Sequence, residues 1–294
     1  MSASSPDWLL DGQTRLLGVL GDPIAHSLSP AMHNFALARQ GINARYLPFH
    51  VEPARLEQAV RGLVAVKAIG FNATVPHKEA LFRLMDWCDP AARALGAVNT
   101  VKITPEGRLE GYNTDVYGFG QSLREHFGVL PADLPVIMLG AGGAARAVLE
   151  GLLTAGLHDI TVANRTLPRA EEVVDACRRR HPRASVRACS LATVALDRCG
   201  LLVNTTTAGL HGDALEEVDC ARLPVSARVM DIVYGQETPL LAQAGRLGLS
   251  TADGLGMLLH QGAAAYHLWT GREMPVDAVR DHLQRILRQR ANHA

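Results

Sequence analysis

Residues 136–145 read Val-Ile-Met-Leu-Gly-Ala-Gly-Gly-Ala-Ala, a short apolar strand that runs directly into a glycine-rich turn. A helical segment over 144–155 follows. Gly140 permits a tight turn, while Gly142 and Gly143 let backbone N–H groups approach a pyrophosphate at the helix N-terminus. Ala145 stands at the third glycine position, where a small side chain still packs. The pattern predicts a phosphate-cradling turn made by Gly140, Ala141, Gly142, Gly143 and Ala144.

The chain after this turn keeps alternating apolar strands with helices. Further strands are expected over 160–162, 186–188, 201–203 and 229–232, with a helix over 169–179. Strand–helix alternation with buried-type strands is typical of a parallel, doubly wound sheet. This half of the chain is therefore predicted to be a Rossmann-type dinucleotide-binding domain over residues 116–255.

The first half of the chain predicts a mixed α/β sheet. Strands are expected over 15–20, 44–49 and 69–73, helices over 53–63 and 79–88, and a hairpin from 97–103 and 109–112. Ser29 is expected to cap a helix that has Pro30 at its first position and ends near Gln40. At the end of the chain, Asp253 is expected to cap a helix over 254–269, and another is expected over 275–288.

The expected architecture is thus a two-lobed α/β protein with a cleft between its domains. Residues 1–115 and 256–294 form a substrate-binding and catalytic domain in this scheme, and a helix over 116–127 bridges to the nucleotide domain. From the residues alone, the final helices could instead stay with the nucleotide domain.

The segment after the second nucleotide-domain strand indicates which dinucleotide binds. An NAD site usually presents an acidic residue there for the ribose 2′-hydroxyl. This chain has Asn164-Arg165-Thr166 followed by Arg169, and guanidinium and hydroxyl groups suit a 2′-phosphate. NADP is the predicted cofactor, with solvated surface arginines as the alternative interpretation.

Composition excludes several classes of function. The 29 basic and 29 acidic residues cancel, so nucleic-acid binding is not expected. Five cysteines without C-x-x-C spacing favour reduced thiols over a disulfide framework or a metal site. The first residues lack a signal-peptide pattern, and no apolar run is long enough for a membrane span. We expect a cytoplasmic protein, monomeric or homodimeric, with a small-molecule substrate.

Candidate catalytic groups lie at turns in the first half of the chain. Lys78 ends the segment Asn72-Ala-Thr-Val-Pro-His-Lys78, and Asp115 ends Gly111-Tyr-Asn-Thr-Asp115. Reduction of a ketone needs a hydride on carbon and a proton on the developing alkoxide. A Lys–Asp pair in a partly dry cleft can hold, orient and relay that proton. Taken singly, each residue could be an ordinary surface charge.

These motifs together resemble the shikimate dehydrogenase family, which interconverts 3-dehydroshikimate and shikimate with NADPH. The resemblance covers about residues 15–285, and its most specific part is Gly21-Asp-Pro-Ile-x-His-Ser27-x-Ser29-Pro-x-x-His33-Asn. It implies that Ser27 and Ser29 bind the substrate carboxylate and that the final helices return to the first domain. Asn72–Lys78 matches the family's Asn-Val-Thr-Val-Pro-x-Lys.

The resemblance assigns roles to further residues. It implies that Thr74 binds a substrate hydroxyl or carboxylate, that Lys78 is catalytic, and that Asp115 pairs with Lys78. Asn99, Tyr234 and Gln261 match family positions that are expected at the substrate. Thr205, which follows a strand of the nucleotide domain, is expected to line the cofactor cleft, with Gly254 and Met257 at its far wall.

Some positions depart from the family pattern, and rival functions stay open. His77 stands where Phe often occurs and is expected to be a solvated turn histidine. Gly235-Gln-Glu237 lacks a common proline, which leaves the role of Tyr234 less defined. A quinate/shikimate dehydrogenase with relaxed cofactor use is the nearest rival. A non-catalytic sensor of NADP or a cyclic hydroxy acid is the rival of another class.

Overall fold

The computed structural model describes residues 10–209 and 213–291. The chain divides into two compact units. One contains the residues up to Thr114 together with those from Gly262 onward, and the other contains Asp115–Gln261. Each unit has its own six-stranded sheet. The predicted α/β class, with a Rossmann-type domain and a separate N-terminal domain, is confirmed. No helix among the described residues is both long and apolar enough to cross a membrane.

The first unit has a mixed sheet covered by helices. Its elements up to residue 112 are β1 (Arg15–Gly21), α1 (Ser29–Arg39), β2 (Ala44–His50), α2 (Leu56–Ala65), β3 (Gly70–Ala73), α3 (Lys78–Phe82), β4 (Trp87–Cys88), α4 (Pro90–Leu95), β5 (Thr100–Ile103) and β6 (Leu109–Tyr112). The strand order is β2-β1-β3-β5-β6-β4. β1 runs parallel to β2 and β3, whereas β5 is antiparallel to β3 and β6. The carboxyl end of β3 therefore lies beside the start of β5.

The second unit has an entirely parallel sheet. Its elements are α5 (Thr114–Phe127), β7 (Val136–Leu139), α6 (Gly143–Thr154), β8 (Asp159–Asn164), α7 (Leu167–Arg180), β9 (Ser185–Ser190), β10 (Leu201–Asn204), β11 (Arg228–Asp231), α8 (Pro239–Arg246), β12 (Ser250–Ala252) and α9 (Leu255–Thr270). The strand order is β12-β11-β10-β7-β8-β9. β7 is the first strand in sequence and lies between β10 and β8, so the order reverses at β7. In such sheets, ligands bind outside the strand ends at this switch point.

Alternating residues of β7 supply two apolar layers of the second unit. Val136 and Met138 belong to one buried cluster, and Ile137 and Leu139 belong to another. Successive side chains of a strand point to opposite faces, and a parallel sheet is covered on both. This explains why all four residues of β7 are apolar and buried. The turn at the end of β7 therefore follows a fully buried strand.

The end of α9 and the whole of the last helix belong to the first unit. The boundary between the units falls within α9, between Gln261 and Gly262, and α10 (Val276–Ala291) follows in the first unit. The Trp269 indole nitrogen donates to the Val101 carbonyl oxygen at 2.9 Å. A Cβ atom at Gly70 would overlap this indole, so the glycine allows the close approach.

Two predicted element boundaries in the first unit are wrong. The helix expected over 79–88 ends at Phe82, because Trp87 and Cys88 instead form a strand that pairs with Glu110 and Gly111 of β6. The strand expected from residue 97 begins at Thr100. The helix α4 was not predicted, although the Asp89 carboxylate caps it by accepting from the Ala92 N–H at 2.7 Å.

Candidate active site

Two serines, Ser27 and Ser29, lie where the loop after β1 enters α1. The Ser27 Oγ accepts a hydrogen bond from the Ser29 N–H at 3.2 Å. Ser29 is nearly buried, and its side chain hydrogen-bonds Tyr46. Burial raises the pKa of Tyr46 well above its ordinary value, and the Ser29 hydrogen bond opposes that rise. Both serine hydroxyls lie beside the N-terminus of α1, an environment that favours an anion.

The prediction that Ser29 caps α1 is wrong. Leu28 occupies the cap position in a helical conformation, and the helix has no side-chain cap hydrogen bond. Ser29 is the first helical residue, and its own N–H donates to the Ser27 Oγ. Its hydroxyl is directed to Tyr46, a residue of the neighbouring strand β2.

A buried hydrogen-bond network runs across the sheet of the first unit. The Tyr46 hydroxyl donates to Asn72 Oδ1 at 2.6 Å. Asn72 Nδ2 in turn donates to Thr100 Oγ1 at 2.9 Å and to the Asn99 carbonyl at 3.1 Å. Asn99 Oδ1 accepts from the Thr114 N–H at 2.8 Å, and its Nδ2 donates to Thr114 Oγ1 at 3.0 Å. The network holds the predicted substrate ligand Asn99 in one orientation.

Thr74 and Lys78 lie at the carboxyl end of β3. The Thr74 N–H donates to the Leu20 carbonyl at 2.9 Å. The Lys78 carbonyl accepts from the Val98 N–H at 2.9 Å. Asn99 is the residue after Val98, so it lies close to Lys78. Thr74 and Lys78 are both partly exposed. The structure thus brings an ammonium group, a hydroxyl and an amide to one edge of this sheet.

The prediction that His77 is a solvated turn histidine is wrong. Its side chain is buried, with 1% exposed, and its Nε2 lies 2.7 Å from the Val51 carbonyl oxygen. Its carbonyl accepts from the Leu81 N–H at 2.8 Å. The segment after β2 supplies the ring's partner and covers it. His77 therefore anchors the loop that carries Lys78.

No role was predicted for His33, a buried residue of the motif that also contains Ser27 and Ser29. It is fully buried, and neither ring nitrogen has a hydrogen-bond partner. Its ring stacks on Tyr46, with ring centroids 4.3 Å apart. Burial lowers the pKa of His33 from 6.5 to about 3. His33 is therefore neutral at physiological pH and packs as an aromatic group.

Asp115 and Gln261 belong to the second unit. Asp115 is the second residue of α5 and is 8% exposed. Gln261, on α9, is buried, and its Nε2 donates to the Leu258 carbonyl at 2.8 Å. A Cβ atom at Gly118 would lie 2.7 Å from the Gln261 Cβ, so α5 and α9 pack closely here. The pairing of Asp115 with Lys78 stays a prediction.

The glycine turn at the end of β7 has the geometry of a phosphate site. Gly140 has φ +102°, a conformation that L side chains rarely adopt. A Cβ atom there would lie 2.8 Å from both Thr205 Oγ1 and Thr206 Cγ2. Gly142 and Gly143 are exposed, and a Cβ atom at either would meet nothing within 4 Å. The N-terminus of α6 is thus open, with backbone N–H groups for an anion.

Asn164, Arg165, Thr166 and Arg169 surround the end of β8. Asn164 Nδ2 donates to the Thr166 carbonyl at 2.8 Å, and the Arg169 N–H donates to the same carbonyl at 3.1 Å. Both arginines and Thr166 are exposed. β8 is the neighbour of β7, so these cations lie on the side of the glycine turn where the adenosine half of a dinucleotide binds.

The loops that follow β10 and β11 are joined by a buried carboxylate. Thr205 Oγ1 donates to the Leu139 carbonyl at 2.7 Å, which places Thr205 against the glycine turn. Asp231 is fully buried and accepts from Asn204, Val233 and Thr238. Burial raises the pKa of Asp231, and these three hydrogen bonds oppose the rise. Sequence analysis did not identify Asp231, whose only local signal is its position at a strand end.

Tyr234, Gly254 and Met257 follow this carboxylate along the chain. Tyr234 is partly buried and follows Val233, whose carbonyl accepts from the Gly254 N–H at 3.0 Å. A Cβ atom at Gly254 would overlap the Ile232 carbonyl. Asp253 Oδ1 accepts from the Leu255 N–H at 3.0 Å, as the predicted cap requires. Met257 packs against the buried cluster that contains Val136 and Met138.

The fold and these sites define a dinucleotide-dependent oxidoreductase. One unit carries a glycine turn at the switch point of a parallel sheet, with arginines at the next strand end. The other carries a lysine, hydroxyls and amides that suit a small polar anion.

Three parts of the chain match known families. Residues 19–101 match the shikimate dehydrogenase substrate binding domain, and 124–221 match the shikimate / quinate 5-dehydrogenase family. Residues 254–284 match the shikimate 5′-dehydrogenase C-terminal domain. The shikimate dehydrogenase (NADP(+)) of Magnetococcus marinus is 45% identical over 278 residues, covering 94% of this chain and 97% of that protein.

Solved structures of the family superpose on the chain. Shikimate 5-dehydrogenase from Thermus thermophilus, in complex with NADP(H) and shikimate, is 37% identical with a TM-score of 0.82, covering 92% of this chain and 99% of that one. Quinate dehydrogenase from Corynebacterium glutamicum, in complex with NAD, is 32% identical with a TM-score of 0.87, covering 92% and 99%. The chain therefore belongs to the shikimate dehydrogenase family, and the resemblance seen in the sequence motifs is confirmed.

Proposed function

We propose that this chain catalyses the reversible, NADPH-dependent reduction of 3-dehydroshikimate to shikimate, a step of chorismate and aromatic amino acid biosynthesis. The observation that carries the proposal is the group of Thr74, Lys78 and Asn99 at one sheet edge. A cyclic acid with several hydroxyls needs amide and hydroxyl partners that are fixed before it binds. The buried network behind Asn99 supplies that preorganisation.

The second unit fits NADP by its donor set. The open N-terminus of α6 offers N–H groups to the pyrophosphate, and Gly142 and Gly143 leave room for it. Arg165 and Arg169 offer guanidinium groups to the 2′-phosphate. None of the three residues that end and follow β8 is acidic, which favours NADP over NAD.

The residues of the chain divide the proton chemistry between them. The cofactor, when bound, supplies the hydride that is transferred to the C3 carbonyl carbon of the substrate. Charged Lys78 stabilises the developing alkoxide and gives a proton from Nζ to the C3 oxygen. Asp115 holds Lys78 in place and binds one ring hydroxyl. Ser27 and Ser29 hold the carboxylate, while Thr74, Asn99, Tyr234 and Gln261 orient the ring.

The proposal is tested by absorbance at the nicotinamide band with purified protein. Shikimate and quinate are each crossed with NADP and NAD. Turnover with shikimate and NADP alone is the expected result. Absence of turnover in all four pairs would overturn the proposed function, and retained binding of NADPH would then indicate a sensor.

The second candidate is a quinate/shikimate dehydrogenase with relaxed cofactor use. It is supported by the likeness to the quinate dehydrogenase of C. glutamicum solved with NAD. Turnover of quinate, or of shikimate with NAD, in the same crossed assay would favour it. The Lys78 and Asp115 mechanism would be retained in that case.

We propose that the protein works in the cytoplasm. All five cysteines have free thiols, which suits a reducing compartment such as the cytoplasm. A monomer or a homodimer is expected. Mass measurement by light scattering distinguishes the two states.

A further inference from the structure

Three neighbouring strand ends of the second unit are joined in one hydrogen-bonded frame. β7, β10 and β11 are adjacent and parallel, so their carboxyl ends meet at one edge of the sheet. Thr205, after β10, reaches across to β7 and donates to the Leu139 carbonyl with both its N–H (2.9 Å) and its hydroxyl (2.7 Å). This contact places the loop after β10 directly against the glycine turn.

The last residue of β11, Asp231, is the centre of this frame. Its Oδ1 accepts from Asn204 Nδ2 at 3.1 Å and from the Val233 N–H at 3.0 Å. Its Oδ2 accepts from Thr238 Oγ1 at 2.8 Å. A buried carboxylate is costly unless its oxygens are hydrogen-bonded, so the three donors are needed for the carboxylate to remain buried.

Two of the three partners of Asp231, Asn204 and Val233, lead to loops at the strand ends. The side-chain oxygen of Asn204, Oδ1, accepts hydrogen bonds from the N–H and the hydroxyl of Thr206, at 3.0 and 2.7 Å. The Val233 carbonyl accepts from the Gly254 N–H, and Tyr234 is the next residue in the chain. Asp231 therefore fixes the position of two segments: the turn at Thr206, which lies beside the glycine turn, and the residues that lead into Tyr234.

The order of the strands tells which half of the cofactor this frame faces. Arg165 and Arg169, proposed for the 2′-phosphate, follow β8 on one side of β7. β10 and β11 lie on the other side of β7. With the pyrophosphate at the β7 turn, the residues after β8 would hold the adenosine half and those after β10 and β11 would hold the nicotinamide half.

We propose that Asp231 is a positioning residue for the nicotinamide half of the NADP site, acting through Asn204 and Val233 on the loops after β10 and β11. The inference rests on the proposed function, because it presumes that the second unit binds NADP. Asp231 itself touches no ligand in this proposal.

The test compares binding of the whole cofactor with binding of its adenosine half. Asp231→Asn keeps the shape of the side chain but removes its charge, and the dissociation constant of NADPH is expected to rise about tenfold. Binding of adenosine 2′,5′-bisphosphate, which lacks the nicotinamide half, is expected to stay within twofold of wild type. The KM for NADP is expected to rise more than that for shikimate.

Asp219→Asn is the matched control. This carboxylate belongs to the same unit and caps the short 3-10 helix Cys220–Arg222, where it accepts from the Ala221 N–H at 3.0 Å and from Gln243 Nε2 at 3.0 Å. Its loss is expected to leave NADPH binding unchanged. If Asp231→Asn does not fold, Asn204→Ala removes the same link to Thr206 and carries the same expectation.

Two results would overturn the inference. One is NADPH affinity in both Asp231→Asn and Asn204→Ala equal to wild type. The other is an equal loss for NADPH and adenosine 2′,5′-bisphosphate, which would indicate general loosening of the unit. Failure of wild-type protein to bind NADPH would instead overturn the proposed function.

Discussion

The imidazole of His33 lies stacked on the phenol ring of Tyr46, with 4.3 Å between ring centroids and an interplanar angle of 17°. The phenol makes hydrogen bonds through its hydroxyl, whereas neither nitrogen of the imidazole has a partner. His33 thus packs against Tyr46, a member of the buried hydrogen-bond network. Because it is buried, its titration is linked to folding.

Stability is expected to fall on acidification because of His33. Burial lowers its pKa in the folded state to about 3 from the ordinary 6.5. Below pH 6.5 the unfolded chain binds a proton that folded His33 does not, so the free energy of unfolding decreases as pH falls toward 3. The contribution between pH 7 and pH 5 is about 2 kcal/mol. Urea unfolding at both pH values measures it.

His33→Phe is the comparison variant, since it retains an aromatic ring and cannot titrate. Its loss of stability between pH 7 and pH 5 is expected to be smaller than that of wild type by the same amount. Equal losses in the two proteins would contradict the assignment.

Tyr46→Phe is expected to destabilise the first unit. The change removes the donor to Asn72 Oδ1 and leaves that buried oxygen without its partner, at a cost of about 1–3 kcal/mol. Chemical denaturation at neutral pH measures the change in free energy of unfolding. Tyr117→Phe is the control, because Tyr117 is 52% exposed and is expected to change stability by less than about 0.5 kcal/mol.

Lys78→Ala is expected to lower kcat for shikimate oxidation by about 10²–10⁴-fold with a modest change in KM. The reason is that Lys78 is proposed to act on the proton at the C3 oxygen. Lys78→Arg keeps a positive charge but exchanges its proton poorly near neutral pH, so it is expected to remain impaired. Steady-state kinetics test both variants. A change confined to KM would instead assign Lys78 to binding.

Arg165→Ala is expected to raise the KM for NADP about tenfold, because it removes a charge-assisted hydrogen bond to the 2′-phosphate. Weak activity with NAD, where measurable, is expected to be unaffected. Arg61→Ala removes an exposed helix arginine paired with Glu57 and is the control. An unchanged KM for NADP in Arg165→Ala would refute the 2′-phosphate assignment.

Two glycines of the cofactor turn are expected to respond differently to alanine. Gly140→Ala is expected to cost about 1–3 kcal/mol of stability, because φ is +102° and the new Cβ would crowd Thr205. Gly143→Ala meets no protein atom within 4 Å and is expected to keep stability while weakening NADPH binding. Thermal unfolding and fluorescence titration of NADPH measure the two properties. Equal thermal stability of the variants would contradict this distinction.

Several features that depend on neighbours in sequence were predicted correctly. The strand Val136–Leu139 and the glycine turn after it are identified from ten consecutive residues, since strand, turn and helix each follow from local composition. The hairpin strand Leu109–Tyr112 and the cap at Asp253 were likewise identified. The family motifs allowed both units to be assigned to the right class.

Features that depend on distant segments were missed. The partner of His77 is the Val51 carbonyl, 26 residues earlier, and nothing near His77 indicates that it is buried. The strand Trp87–Cys88 exists because β6 is beside it. Ser29 has the local pattern of a cap, but its hydroxyl is directed to Tyr46 of another strand.

The sequence by itself determined the fold class, the family, the cofactor turn and the set of candidate chemical groups, because each is written in short stretches with defined backbone geometry. Only the tertiary structure decided which polar groups are buried and what holds them. Asp231 and Asn72 have no local signature, since their partners come from strands adjacent in space but distant in the chain. A buried polar group is stable only where folding brings it a partner.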